Sequence, residues 1–574
     1  MYAAVQRDDG TLINIRGVEH KISSGGRTFY FAGNIDGLVR SDYTIERDVG
    51  LHDVVGNLPK YLPRLNGRYA GLSVRDGVLE FAASDIGAVE ELNYTETDKE
   101  LLVSTDFFEL ARAKGQLDYD PSEALYFIKH GFCRKGKTTF KEIYRLPPGE
   151  ALQYNVNSTI TTDSYLKHFL GEKVTYDAFK NALNHLVASV IALNPSFEEV
   201  VSHSGGVDSS VLLSLVKQTK DVTAVTYRFS PAIAFNVPDV TRSERIAKKL
   251  QVDHEFVEVD LDEINLAYLD DVIRSMPFAA HLSINFKKMF ETLRGRKKRL
   301  WSGQNLDTLY FHNLSTHGAI HRFLLSDSYV KMLKGVKGYQ RYRPAKRILD
   351  AALKRLYSYE LKQRFETPGT LEELVEYFYD SESRLALRVA QRQNGGPSRS
   401  TEASESINVS EIRTRLFDET LGGGFITGQD HKIQHQAKKL FDMDIVLAYS
   451  TPSIVHLLRN LNLSALDVLF AKRYVYHYAQ ELGLSKHDFR LNNHPQTTET
   501  SRNWLEIFES TGFGTELSQK ANDSANQIGI ILDVKDDHRW QKQLAVVWIN
   551  KVRENLSQLG VELEWPICKN TIAV

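Results

Sequence analysis

The rhythm of hydrophobic and polar positions changes twice along the chain. Up to residue 165 the apolar residues come in short alternating runs, at 27–32, 69–75, 78–83 and 101–105, and the turn Arg75-Asp76-Gly77 separates two of them. Period-two runs broken by Gly and Asp predict antiparallel strands buried on one face. Tyr144-Arg145-Leu146-Pro147-Pro148-Gly149 closes this region, because two prolines and a glycine suit neither a helix interior nor a central strand. A helical period follows at 176–193. From residue 198 the strands become unbroken apolar runs, at 200–203, 222–227, 254–259 and 299–302, with amphipathic helices at 209–217 and 241–250. Strands alternating with helices at this spacing predict a parallel sheet with helices on both faces. Beyond Phe311 the strand signals vanish and long helical patterns take over. Residues 393–410 are polar and rich in Gly, Pro and Ser, the composition of a mobile segment.

This organisation predicts a β-rich domain over 1–165, an α/β domain over 175–490 with a helical insertion at 311–430, and a helical extension over 500–574. The first place where chemistry enters is Ser204-Gly205-Gly206-Val207-Asp208-Ser209-Ser210, between a buried strand and a helix. Glycines let the backbone turn sharply and bring several amides toward one anion. The helix that starts there adds its uncapped N–H groups and the positive end of its dipole. Ser204, Ser209 and Ser210 add hydroxyls, and Asp208 can hold a magnesium ion against phosphates. A Gly-Gly pair alone would mark no more than a helix start, which favours Ser and Asp in any protein. The whole string at a strand's C-terminal end, where α/β proteins bind ligands, goes further.

Ser-Gly-Gly-x-Asp-Ser resembles the pyrophosphate loop (PP-loop) of the N-type ATP pyrophosphatases, which include asparagine, β-lactam, argininosuccinate and GMP synthetases and tRNA-thiolating enzymes. The resemblance implies an adenine nucleotide α-hydrolase-like fold and cleavage of ATP to AMP and pyrophosphate. A second string, Trp301-Ser302-Gly303-Gln304-Asn305-Leu306-Asp307, resembles the Ser-Gly-(Glu)-Gly-Ser-Asp loop of asparagine synthetases. By that match Asp208 and Asp307 are a magnesium pair, and Ser302 and Gly303 face ATP with the first loop. Tyr227, which ends the second strand, is assigned to the same nucleotide site. The N-terminal region is similar to the Ntn-type glutaminase domain of the same family at Leu65-Asn66-Gly67-Arg68-Tyr69-Ala70-Gly71-Leu72 and at Ile143 through Gly149, a resemblance that implies an α+β sandwich over 1–165. Phe441-Asp442-Met443-Asp444, with the stretch 446–458 read as the helix after it, resembles a drifted Pro-Phe-Leu-Asp block.

Composition narrows this picture. The 574 residues carry a net charge of −2, so no global basic field recruits nucleic acid or anionic lipid. The basic cluster at 294–299 reads as a solvated turn before a strand. Two cysteines, Cys133 and Cys568, exclude a disulfide framework and a Cys-rich zinc site. No apolar run reaches the roughly 18 residues of a membrane span, and the first residues lack a signal-peptide core, so a cytoplasmic enzyme with no membrane partner is expected.

The glutaminase resemblance also shows what is missing. Such domains attack glutamine with an N-terminal cysteine whose α-amino group is the base. Here Tyr2 follows Met1. The family's oxyanion Asn-Gly pair corresponds to Ala32-Gly33, and its Arg-Asp-x-x-Gly strand to Ser84-Asp85-Ile86-Gly87 without the arginine. Glutamine hydrolysis is therefore not expected. An inactive domain of this kind is shared with β-lactam synthetases and lasso-peptide cyclases, whose amine comes from the substrate. The resemblance implies an ATP-dependent amide ligase for a small-molecule or peptide carboxylate, with a substrate-borne amine or ammonia as attacking group. The alternatives are a nucleobase- or tRNA-modifying ATP pyrophosphatase, disfavoured by the missing sulfur-carrying cysteines and the near-neutral charge, and a non-catalytic partner protein, disfavoured by the retained Asp208 and Asp307.

At the position of Gln304 asparagine synthetases carry glutamate and β-lactam synthetases tyrosine, whereas an amide cannot act as a base. Gln304 is expected to position the reacting groups, with Asp270, Asp271 or His281 left open as bases. Lys472 and Lys486 are both kept as candidates for the charge-stabilising lysine of the family. Glu244 reads as a solvated helix position, Gly422-Gly423-Gly424 as a turn without a preceding strand, and His431, His435 and His487 as lacking metal-ligand spacing. The aromatic run 473–478 fits a packed helix better than a base-stacking platform. The tail leaves three readings open: a cover for the site, a partner surface or a homodimer contact.

Overall fold

The computed structural model describes residues 1–306 except 88–89, 156–158, 231, 233–235, 264, 281–283, 295–296, and then 309, 417, 421, 440–441, 443–461, 473–485, 488–489, 512–528, 530–531, 539–564 and 572–573. These belong almost entirely to one compact unit made of Met1–Leu306, Gly422–Asn460 and Tyr474–Val574; the other unit, Asp307–Leu421 with Leu461–Arg473, falls nearly wholly outside the described residues.

Two antiparallel sheets build the N-terminal region. One orders its strands β11 (Ile143–Arg145), β8 (Asn93–Glu96), β9 (Glu100–Ser104), β1 (Tyr2–Gln6) and β2 (Leu12–Arg16). The other runs β13 (Thr159–Ser164), β12 (Glu150–Asn155), β7 (Val78–Ser84), β6 (Leu65–Arg75), β4 (Arg27–Val39) and β3 (His20–Ser24), with β5 (Ile45–Glu46) paired to β4. The expected turn between β6 and β7 is present, with Asp76 at φ 51° and Gly77 at φ 86°. Alternation decides which side chains meet: Ala3 and Val5, Leu101 and Val103, and Ala70, Leu72 and Val74 share one core between the sheets. Tyr2, Ala4 and Leu102 face the other way, onto helices α3 (Phe107–Lys114) and α4 (Pro121–His130). Asp106 and Asp120 cap these two helices by accepting hydrogen bonds from first-turn amides.

Helix α5 (Tyr176–Leu193) leads into a second, all-parallel sheet, ordered β16 (Asp253–Asp260), β15 (Val222–Ser230), β14 (Glu198–Ser202), β17 (Lys298–Ser302) and β18 (Asp444–Leu447). Helices α6 (Val207–Thr219) and α7 (Val237–Leu250) make the crossovers β14–β15 and β15–β16. Val200, Val225, Val257, Leu300 and Ile445 pack on helix α9 (Ile284–Leu293), which enters β17 from the opposite direction. In order of sequence the strands read 3-2-1-4-5. The connections diverge between β14 and β17, and that divergence opens a crevice beyond their C-terminal ends.

Two readings of the sequence are corrected here. Residues 444–447, taken with the helical block at 446–458, form the fifth parallel strand, and helix α10 (Pro452–Asn460) starts only afterwards. Arg299 is not in a solvated turn: it is 1% exposed, with Nη1 3.2 Å from Glu199 Oε1 and Nε 2.8 Å from Asp444 Oδ2. Arg68 of β6 reaches the same Asp444 at 2.7 Å, so one carboxylate joins the sandwich to the sheet. Burial opposes charge on Asp444, but Arg68 and Arg299 outweigh it and hold its carboxyl below the usual range.

The aromatic run is a packed helix, as expected. Helix α11 (Arg473–Glu481) lies along α5, with Tyr478 donating to Asn184 at 2.5 Å and His477 stacked on Tyr176 at 4.2 Å. In the tail, helices α12 (Gly512–Ile528) and α13 (Arg539–Gln558) share one core with α4 and with α8 (Leu266–Ser275). Trp548 is fully buried and donates its indole N–H to Met276 C=O at 2.8 Å. Strand β19 (Ile530–Ile531), between α12 and α13, pairs in parallel with β21 (Ile572–Ala573), and after α13 strand β20 (Glu562–Glu564) pairs in parallel with β10 (Gln116–Asp118). Among the described residues no helix is long and apolar enough to cross a membrane.

Candidate active site

The crevice between β14 and β17 is where the two glycine strings meet. Strand β14 ends at Ser202, and the chain turns through His203, Ser204 and Gly205 before α6 begins at Val207. Gly205 sits at φ +72°, and a Cβ there would lie 2.7 Å from Arg242 Cβ and 2.8 Å from Ser243 N of α7. Only glycine allows this turn to pass so close to the neighbouring helix. Gly206 precedes α6 and has no side chain to cap the first-turn amides. Serine hydroxyls hold the turn instead: Ser210 Oγ donates to Gly206 C=O at 2.7 Å, Ser204 N donates to Ser209 Oγ at 3.3 Å, and Gly206 N donates to Ser204 Oγ at 3.4 Å.

The second loop packs directly on this turn. A Cβ on Gly303 would lie 3.0 Å from Ser209 N, 3.1 Å from Ser209 Cα and 3.3 Å from Asp208 C. Gln304 N donates to Ser302 Oγ at 3.4 Å, and Gln304 Oε1 is a buried oxygen with no hydrogen-bond partner among the described residues. The predicted residues Ser204 through Ser210 and Ser302 through Gln304 therefore come together. Tyr227 lies further down β15, half-buried between two hydrophobic clusters and 5.6 Å from the Phe229 ring. Asp307, Lys472 and Lys486 lie outside the described residues, as do His281, His431, His435, His487, Cys568, Gly422 through Gly424 and the segment 393–410. Asp270 engages Lys551 of α13 at 3.3 Å, and Glu244 is exposed on α7 as expected.

Four residues that sequence reasoning did not assign support the two loops. Tyr449, fully buried, donates to Asp208 C=O at 3.0 Å. Burial, and next the charge of Asp208, raise its phenol well above the usual range, so it stays a hydroxyl donor. The adjacent Ser450 Oγ accepts from Asn305 Nδ2 at 2.9 Å, so one turn, Ala448–Ser450, touches both loops. His203, buried at the end of β14, has Nδ1 3.2 Å from Ser209 Oγ. Burial, with a smaller push from His254, lowers the His203 imidazole to about 3. The polar identities of Asn305 and His203 next to glycine loops were the available signal.

Among the described residues no group of three or more His, Cys, Asp or Glu could hold a metal ion on its own. Magnesium bound with a triphosphate needs only one or two protein carboxylates, and Asp208, half-buried on the first turn of α6, can supply one.

A second concave feature lies between sandwich and sheet. A cavity of about 410 Å³ is lined by Asp36, Asn66, Arg68 and Asp85 from the sandwich and by Asp444 and Ser450 from the sheet side, among others. Asn66 Oδ1 and Asp85 Oδ2 are buried there without hydrogen-bond partners among the described residues. Burial, then the charge of Glu90, raises Asp85 to about 7, and burial raises Asp36 to about 6 against the pull of Arg68. Elsewhere in the sandwich the Gly33 N–H is taken by Glu19 Oε2 at 2.8 Å. Cys133 is buried, and burial followed by Glu123 raises its thiol well above normal, which favours the protonated form.

Comparison with known proteins gives one family. Residues 201–445 match the family described as asparagine synthase. No curated protein sequence matches. Solved structures give distant likenesses. NMN synthetase from Francisella tularensis is 16% identical with a TM-score of 0.19, covering 24% of this chain and 58% of that one. NH3-dependent NAD synthetase from Campylobacter jejuni is 16% identical with a TM-score of 0.19, covering 40% and 100%. Glutamine phosphoribosylpyrophosphate amidotransferase from B. subtilis is 12% identical with a TM-score of 0.17, covering 45% and 85%. This chain thus spans less than two thirds of the first of these, and at such TM-scores none of the three bears on what it does.

Proposed function

From the match of residues 201–445 to the asparagine synthase family, we propose an ATP-dependent amide ligase that releases AMP and pyrophosphate and does not draw its nitrogen from glutamine. The observation that carries this reading is the packing of Gly303 on Asp208 and Ser209, which gathers both glycine loops at the switch point of the sheet. A carboxylate oxygen attacks the α-phosphorus, pyrophosphate leaves, and an acyl-adenylate forms. An amine nitrogen then attacks the acyl carbon, AMP departs, and the amine's proton passes to a base. Charge on the departing pyrophosphate is met by the α6 amides and by the hydroxyl of Ser204, while Ser210 holds the turn through the Gly206 carbonyl. Magnesium, when bound, would neutralise phosphate charge, held by Asp208 and, by resemblance, Asp307. Gln304, a neutral amide whose buried oxygen has no hydrogen-bond partner among the described residues, orients the reacting groups. The attacked carboxylate belongs to a small molecule or peptide, and the amine is substrate-borne or ammonia.

Three features support exclusion of glutamine as donor. Strand β1 carries Tyr2, Ala3, Ala4, Val5 and Gln6, with no thiol or hydroxyl nucleophile of the glutaminase kind. The Gly33 N–H, which would complete an oxyanion hole, is already bonded to the Glu19 carboxylate. Ser84 stands where the substrate arginine would be. The test is incubation of the purified chain with Mg·ATP, glutamine and a panel of amino acids and carboxylates. AMP and pyrophosphate in equal amounts, with no glutamate, are expected. ADP and orthophosphate as products would overturn the reading, and so would glutamate release that survives Tyr2→Phe.

A further inference from the structure

Beneath the glycine turn a polar chain crosses three strands, and its last link is a histidine whose role no feature so far explains. His254 on β16 has Nε2 2.8 Å from Thr226 Oγ1 on β15, and Thr226 Oγ1 donates to the His203 carbonyl at 2.6 Å. His203 Nδ1 then stands 3.2 Å from Ser209 Oγ. The other His203 nitrogen, Nε2, is buried with no hydrogen-bond partner among the described residues, and so is His254 Nδ1. These contacts fix the proton positions. A neutral imidazole carries one N–H, and leaving a buried N–H unmatched costs more than leaving a ring lone pair unmatched. His203 therefore carries its proton on Nδ1, facing Ser209. For the same reason His254 carries its proton on Nε2, facing Thr226, whose own hydroxyl proton is spent on the His203 carbonyl.

Ser209 Oγ now receives two donors, His203 Nδ1–H and the Ser204 amide at 3.3 Å. Both of its lone pairs are engaged, and its single O–H proton must point away from His203. Among the described residues it finds within reach only the Gly206 carbonyl at 3.2 Å and Ser204 Oγ at 3.3 Å, both of them in the loop that the α6 amides open onto. We propose that His203 is a positioning residue which, by donating to Ser209, turns the Ser209 hydroxyl into a committed donor for a phosphate oxygen in the Ser204–Ser210 loop. This inference rests on the nucleotide-site reading above and assigns the polarity of one of its hydroxyls. A hydrophobic residue at 203 would fill the same space but leave Ser209 able to turn its proton inward, with a lone pair toward the anion.

The test measures binding of Mg·ATP and of magnesium pyrophosphate by calorimetry on the full chain. His203→Leu should weaken both about tenfold. His203→Asn, whose amide N–H can stand in for Nδ1–H, should recover binding to within about threefold of the parent. Ser209→Ala should lose a similar factor, and the double variant Ser209→Ala/His203→Leu should be no weaker than Ser209→Ala alone, because His203 acts only through that hydroxyl. Additive losses in the double variant, or equal binding by the parent and His203→Leu, would overturn the assignment while leaving the nucleotide site in place. Failure of the parent chain to bind either probe would instead remove the nucleotide-site reading and this inference with it. Thermal unfolding of each variant separates a loss of fold from a loss of binding.

Discussion

Replacing Gly303 with alanine adds one methyl group at the seam between the two loops. Its carbon would lie 3.0 Å from Ser209 N and 3.1 Å from Ser209 Cα, whereas ordinary contact begins at 3.4 Å. Both obstructing atoms are backbone in the first turn of α6, so no side chain can swing aside. Either the turn or the second loop must retreat by roughly 0.3–0.4 Å, an overpacking that costs about 1–3 kcal/mol. Since a misplacement of ~1 Å at a reacting centre can cost about a hundredfold, a retreat of this size should weaken Mg·ATP binding roughly tenfold. Gly206→Ala is the matched control: its Cβ meets only Ser204 Oγ, at 3.3 Å, and that hydroxyl can rotate. Calorimetric titration with Mg·ATP, paired with thermal melts, should rank Gly303→Ala well below Gly206→Ala in affinity with both proteins folded. Equal affinities would mean that the two loops do not share a ligand.

Asp444→Asn should destabilise the chain by about 3 kcal/mol, because it leaves Arg68 and Arg299 facing one another without their shared carboxylate; chemical denaturation measures it. Asp85 titrates near 7 when folded against a usual value of 3.8, so its contribution to stability is complete below about pH 4 and is lost as pH rises to about 7. The melting temperature of Asp85→Asn minus that of the parent should therefore climb across this window and level off above it. Gln304→Glu should bind Mg·ATP more weakly than Gln304→Ala, since it sets a second negative charge at a buried oxygen beside the phosphate loop, whereas alanine forfeits one hydrogen bond worth ~1–3 kcal/mol. The reverse ranking would remove Gln304 from the site.

Local chemistry was legible in the sequence, and long-range pairing was not. Helix α5 has the bounds that its period predicts, 176–193, because Phe179, Ala182, Leu183, Leu186, Val187 and Val190 recur along one buried helical face. The two glycine strings were found because tight turns leave a compositional mark. Strand β18 was missed: four residues give too short a run for its period to be distinguished from the helix that follows at Pro452. Arg299 was read as solvated because its partners, Glu199 and Asp444, lie 100 and 145 residues away. Tyr449 supports Asp208 across 241 residues, a contact with no local signature. His203 was passed over as the entry to a turn, since only the burial of its second nitrogen gives it a direction.

The pairing of β10 with β20, and of α4 with α13, also sets an order in time. Residues 116–130 leave the ribosome more than 400 residues before the segment 539–564 that completes their core. At roughly 5–20 residues per second that interval is some tens of seconds. Through it Phe127 and Ile128 of α4, joined partway by Leu269 and Val272 of α8, wait without the helix that buries them. The nascent chain thus carries an unfinished apolar surface for most of the synthesis of these residues, and a ribosome that stalls just beyond α11 releases a protein with its glycine loops in place and the core under α4 and α8 still open. Expression yield should accordingly depend on chaperone supply and on slow codons late in the message more than on any change at the nucleotide loops.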